Sequence, residues 1–177
     1  MSVDFFDSKC LTKTSETEFG IRDGVNEEMA YLDFTNKAYW ICTVLNENKT
    51  KIKFRAVDKC VIILRENGEK EKSCDAILTY GEGIDFIELK NQRGEWIKDG
   101  REQLERTIEL FILHHGLENF KHKRAFVANK KYPDFHVIEN EIMIRFFRKY
   151  KVRLNVEATI IINNFPELFK LHFLNET

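Results

Sequence analysis

The chain has 177 residues, a length that holds one domain with a sizeable core. Fifteen Phe against two Pro exclude a disordered chain, and no apolar run is long enough to span a bilayer. The net charge of −1 hides an asymmetry: residues 1–88 carry 12 Lys+Arg against 17 Asp+Glu, and residues 89–177 carry 16 against 12. A mildly basic C-terminal half suits a phosphate backbone, but the whole is far less basic than a typical free-standing nucleic-acid binder.

Residues 1–25 show no clear periodicity and are expected to form an arm or a short helix with loops. The N-terminus lacks the apolar stretch of a secretory signal. Cys10, Cys42, Cys60 and Cys74 therefore read as free thiols in a reducing cytoplasm, with no CxxC to hold zinc. Aromatic and β-branched residues predict strands over 31–34 and 39–45. Residues 51–56 alternate apolar and basic, as an edge strand with one wet face would. Asn67-Gly68 is a type I′ turn signal and predicts a hairpin joining 61–64 to a strand through 74–80. Gly81-Glu82-Gly83 signals a second turn, leading into a strand over 84–90. Leu104, Ile108, Phe111, Ile112 and His115 recur at helical spacing. They predict a helix over 101–115, with Asp99 as N-cap and Gly116 just past the C-terminus. A strand over 124–128, a helix over 139–150 and one long strand over 152–162 complete an α/β (α+β) domain. Residues 1–57 form a β-rich N-terminal extension in this reading, and 58–177 the core.

Three charges interrupt the strand-forming text of CDAILTYGEGIDFIELK. A buried charge is costly unless it is paired, hydrogen-bonded or metal-bound. With Gly81-Glu82 at the centre of the turn, paired residues sum to 163, and Asp75 faces Glu88. Lys90 points to the same face. Two carboxylates that close repel, and a divalent cation removes the repulsion. Asp75, Glu88 and the main-chain carbonyl of Leu89 are candidate ligands for Mg²⁺ or Mn²⁺, with Lys90 placed to orient a water or stabilise phosphate charge. The plainer alternative is a surface hairpin with a Glu–Lys pair. Against it stand strands apolar on both faces and an amphipathic helix that follows at once.

Asp75, twelve intervening residues and then Glu88-Leu89-Lys90 resemble the PD-(D/E)xK nuclease superfamily, over roughly residues 60–128. The resemblance implies a restriction-endonuclease-like core, a mixed central sheet flanked by helices, and divalent-metal-dependent cleavage of nucleic acid, DNA more than RNA. It also implies Asp75 and Glu88 as metal ligands and Lys90 as the catalytic lysine. Many members carry QxxxY on the next helix; here Gln103 matches and Thr107 stands in the Tyr position. Cys74 replaces the Pro of the motif. The usual acidic residue on a preceding helix has no clear counterpart; Glu27 and Glu28 are candidates only as acids ahead of the strands in a helical-turn reading.

Arg101, Arg106, Lys121, Lys123 and Lys130 are candidate phosphate contacts. Asp85 faces away from Glu88 and is expected to be satisfied locally. Cys74 is expected to be a small core residue pointing away from the metal face. Trp96 and Tyr132 are assigned to packing ahead of base stacking, and His114, His115 and His122 to no metal. The rivals to a nuclease are a non-enzymatic binding module on the same fold, acting with a partner protein, and an interaction protein with an exposed hairpin. A homodimer would let two sites meet two strands.

Overall fold

The computed structural model describes residues 3–24, 28–134, 136 and 138–162, and the architecture of these is α+β. In chain order the strands are β1 (Leu11–Thr14), β2 (Glu18–Arg22), β3 (Tyr31–Asp33), β4 (Cys42–Leu45), β5 (Ile52–Ala56), β6 (Ala76–Tyr80) and β7 (Gly83–Lys90). Helix α1 (Trp96–His115), β8 (His122–Asn129), α2 (Asn140–Tyr150), β9 (Arg153–Val156) and β10 (Thr159–Ile161) follow.

Two mixed sheets result, one of six strands ordered β1-β5-β6-β7-β8-β9 and one of four ordered β10-β4-β2-β3. In the larger sheet β1 to β7 pair antiparallel, while β7, β8 and β9 run parallel. Parallel neighbours need a crossover, and α1 and α2 supply the two. The larger sheet is the middle layer. On one face Ile77, Ile84, Phe86 and Val127 pack against Leu104, Ile108 and Phe111 of α1 and Phe146 of α2. On the other, Phe54, Leu78, Ile87 and Phe126 meet Phe19, Ile21, Val44 and Ile160 of the smaller sheet. Covered on both faces, β7 is buried over its first seven residues, which is why its sequence is apolar where a half-wet strand would alternate.

Several expectations need correction. Residues 8–22 form a 3-10 turn and two strands in place of an arm or helix. Strand β5 lies between β1 and β6, so it is not an edge, and its Arg55 is buried. The Asn67-Gly68 turn closes only a single bridge, Leu64 to Lys70, and the strand that pairs β6 is β5. Helix α1 starts at Trp96, which puts Asp99 inside its first turn rather than at the cap. The long strand over 152–162 breaks at Glu157-Ala158 and gives one strand to each sheet. Both sheets draw strands from either side of residue 57. Cys10 and Cys60 form a disulfide, so only Cys42 and Cys74 are free, both buried. That pairing removes the argument from four free thiols to a reducing compartment. Among the described residues, no helix is long and apolar enough to cross a membrane.

Candidate active site

The β6–β7 hairpin takes the register its turn dictates, from Tyr80 opposite Gly83 to Ala76 opposite Ile87. Asp75 is one residue outside this ladder, at a bend where its N–H donates to Ile87 O at 3.1 Å. The bend carries its carboxylate past the end of β6, where Oδ2 accepts from the Leu89 N–H at 2.7 Å. On the other side of β7, Lys90 O accepts from the Lys130 N–H at 2.9 Å. Main-chain groups alternate along a strand, so the Leu89 carbonyl points to the β6 side, beyond the last β6 residue.

Glu88 lies on the helix-facing side of β7 and is 2 % exposed. Its Oε1 pairs with Lys90 Nζ at 2.7 Å. Lys90 Nζ also donates to Gln103 Oε1 on α1 at 2.6 Å. Gln103 is fixed in turn: its Nε2 donates to Ser73 O at 3.2 Å. Thr107, one turn on, donates to Gln103 O at 2.9 Å and accepts from the Cys74 N–H at 2.7 Å. Two polar side chains of α1 thus hold the segment before β6 and the lysine of β7 in one network. Gly100 lets the helix approach, since a Cβ there would lie 2.5 Å from Val127 Cγ1 and 3.3 Å from Glu88 Cγ.

The electrostatics are those of buried acids held close together, with Lys90 as the ammonium paired to Glu88. Burial pushes Asp75 up to about 7, against the Leu89 hydrogen bond and helped by Asp23 and Asp58. Burial and the Asp75 charge raise Glu88 well above the carboxylate range, with Lys90 offsetting part of this. Glu88 Oε2 is buried and has no hydrogen-bond partner. A buried carboxylate oxygen left bare is costly and calls for an occupant. Asp75, Glu88 and the Leu89 carbonyl are all oxygen donors, which fits a hard divalent cation. Among the described residues, no three His, Cys, Asp or Glu side chains are grouped to hold a metal. The set that would fit such an ion is two carboxylates and a carbonyl.

Of the sequence-derived residues, Asp75, Glu88, Leu89, Lys90 and Gln103 come together, with Thr107 behind Gln103. Lys130 is beside them through its main chain and rests over the Tyr39 ring at 5.2 Å. The other basic candidates are elsewhere. Arg106 is paired with Glu71 at 2.8 Å, and Lys121 with Glu82 at 2.8 Å. Lys123 stands opposite Ile84, six residues from the Lys90 end of β7, or roughly 20 Å at strand rise. Arg101 turns toward Glu105 at 3.4 Å and lines the cleft between α1 and α2. Glu27 lies outside the described residues, and Glu28 is exposed.

The acids that do reach the Asp75 carboxyl are Asp23, just after β2, and Asp58, two residues after β5. The β5–β6 register continues past Ala56 with the Val57 N–H on Asp75 O at 2.8 Å and the Asp58 N–H on Cys74 O at 3.1 Å, which sets Asp58 diagonal to Asp75. That register was hidden because the Asn-Gly turn pointed to the wrong partner strand. Asp23 comes from the other sheet and has no local signal. Cys74 is a core residue, but on the helix side that also carries Glu88, because strand alternation begins only after the bend. Asp85 is fully buried on the opposite face, held by Arg124 at 2.8 Å to each oxygen and by the Tyr80 hydroxyl at 3.0 Å. Trp96 is buried and stacks on Tyr132, with ring centroids 6.0 Å apart. His115 packs among Phe5, Phe6 and Phe111. No protein-family model, no curated protein and no solved structure matches this chain.

Proposed function

We propose that this chain is a divalent-metal-dependent nuclease that hydrolyses phosphodiester bonds, most readily in DNA, on a restriction-endonuclease-like core. The observation that carries the reading is the bare, buried Oε2 of Glu88, set beside the Asp75 carboxylate and the Lys90–Gln103 pair. Asp75, Glu88 and the Leu89 carbonyl would hold Mg²⁺ or Mn²⁺. When bound, such an ion lowers the pKa of a water and offsets charge on the scissile phosphate. The chain's own groups do the rest. An ammonium has three donors. Lys90 spends one on Glu88 and one on Gln103, and the third can reach the attacking water or a phosphate oxygen. Gln103, anchored to Ser73, fixes the ammonium's direction.

The order of elements supports the same fold reading: an antiparallel hairpin bearing both acids, a crossover helix bearing the glutamine, and a parallel strand. A second reading, a binding module without catalysis, draws on the Lys90–Glu88 pair, which neutralises one glutamate oxygen with no metal. The deciding experiment is cleavage of labelled plasmid, linear duplex, single-stranded DNA and RNA with Mg²⁺ or Mn²⁺, beside Lys90→Ala. Metal-dependent cleavage lost in the variant is the expected result. No cleavage of any substrate, with no Mn²⁺ binding that depends on Asp75 and Glu88, would favour the binding module.

A further inference from the structure

The outer face of the smaller sheet carries an aromatic and cationic surface that the catalytic reading does not use. Trp40 lies directly on β2 at Gly20, where any Cβ would overlap the indole ring. Beside it, Arg22 sits between two rings, with its guanidinium carbon 5.3 Å from the Tyr31 centroid and 4.9 Å from the Tyr39 centroid. Lys130 Nζ is over Tyr39 at 5.2 Å, and Lys37 Nζ is over Trp40 at 5.5 Å. An Arg22–Asp33 pair at 3.1 Å pins the arginine to the neighbouring strand. That clamp would serve a structural purpose by itself. It does not require open rings, yet Tyr31 is 37 % and Tyr39 54 % exposed. Grouped aromatics left in water mark binding surfaces.

The surface borders the strand end that carries the candidate site. Lys130 belongs to it through Tyr39, and the Lys130 N–H is bonded to Lys90 O. Asp23, which follows Arg22, lies within electrostatic reach of Asp75 and Lys90. Glu88 and Lys90 project from the helix-facing side of β7, so a ligand leaving the rings would pass round the end of β7 at Lys130 to reach them.

From this continuity we infer that the face formed by Arg22, Tyr31, Tyr39 and Lys130 is a base-stacking platform, and that the nucleic acid entering the site is single-stranded or locally unpaired. The inference rests on the nuclease reading for its direction, and on the rings and cations for its ligand class. In a duplex the base faces are already stacked on each other, so an aromatic platform gains nothing from them. An unpaired base offers its face to such a platform. The charge balance argues the same way. Gripping a duplex by its phosphates needs many free cations, whereas this chain has a net charge of −1 and ties Arg106 and Lys121 to carboxylates.

The test is fluorescence anisotropy in EDTA, so that nothing is cut, with a labelled DNA strand of about twelve nucleotides and the same strand in duplex. Wild type is compared with Tyr39→Ala, Tyr39→Trp and Lys90→Ala. The expected result is single-strand binding at least about tenfold tighter than duplex binding, weakened about tenfold by Tyr39→Ala and retained by Tyr39→Trp. Equal or tighter duplex binding, or indifference to Tyr39→Ala in a protein whose melting is unchanged, overturns the platform. The two readings fail separately. Single-strand binding that depends on Tyr39, without cleavage of any substrate, upholds the platform and removes the nuclease. Lys90-dependent cleavage of duplex, with no effect of Tyr39, does the reverse.

Discussion

Lys90 is held by two acceptors of different character, a carboxylate and an amide. Under the nuclease reading, removing Lys90 would delete a charge from the reaction, while removing Gln103 would only free its direction. Under the nuclease reading, Lys90→Ala lowers kcat about 10²–10³-fold, as loss of one preorganised donor does elsewhere. Gln103→Ala lowers kcat by about tenfold with KM little changed, because binding of the substrate is untouched. Steady-state kinetics on one labelled oligonucleotide separate the two. Asp75 gives a prediction independent of catalysis. Its carboxyl is raised to about 7 when folded, mainly by burial, and ionises near 4 when unfolded. The folded state therefore binds the extra proton between these values, and the metal-free protein loses stability as pH rises through them. Glu88 acts in the same direction. Asp75→Asn can still accept the Leu89 N–H but carries no charge. In EDTA it should raise the melting temperature at pH 8 more than at pH 5, with at most about 4 kcal/mol involved. Under the nuclease reading it should also remove the stabilisation by Mn²⁺ expected of wild type at pH 8.

At the scale of elements, the site depends on how closely α1 rides over β7 and β8. Ala in place of Gly100 gains about 1 kcal/mol of helix propensity. Its Cβ, however, would lie 2.5 Å from Val127 and 3.3 Å from Glu88. Overpacking costs about 1–3 kcal/mol, so the net expectation for Gly100→Ala is destabilisation by urea titration. Under the nuclease reading Mn²⁺ affinity should fall with it, since the strain bears on Glu88. The opposite face of β7 is fixed by Asp85 and Arg124. Arg124 also donates to the Ile161 carbonyl at 3.2 Å, so one guanidinium ties the six-stranded sheet to β10 of the other. Asp85→Ala strands a largely buried cation and should cost about 3–5 kcal/mol. Asp85→Leu with Arg124→Met should recover much of that loss, which a double-mutant cycle measures.

At the scale of the molecule, the disulfide joins the turn before β1 to the segment after β5 across 50 residues. It therefore braces the loop that carries Asp58. Reduction, or Cys10→Ser, should lower stability by about 2–4 kcal/mol, read as a fall in melting temperature on adding dithiothreitol. An unchanged melting temperature would mean the two thiols are not joined in solution.

The sequence by itself determined what local rules can reach. Gly81-Glu82 sets the register of the β6–β7 hairpin, and with it the approach of Asp75 to Glu88 and Lys90. The 3.6-residue period of Leu104, Ile108 and Phe111 turns Gln103 and Thr107 toward that hairpin. Only the tertiary structure decided the rest, because long-range pairing leaves no local trace. It chose β5 over residues 61–64 as the partner of β6, since a turn signal fixes a bend but not which strand fills the adjacent edge. It sent residues 153–156 and 159–161 to different sheets. It also brought Asp23 within electrostatic reach of Asp75 and Lys90, and the Tyr39 ring to the Lys130 ammonium, through packing between sheets that no spacing in the sequence encodes.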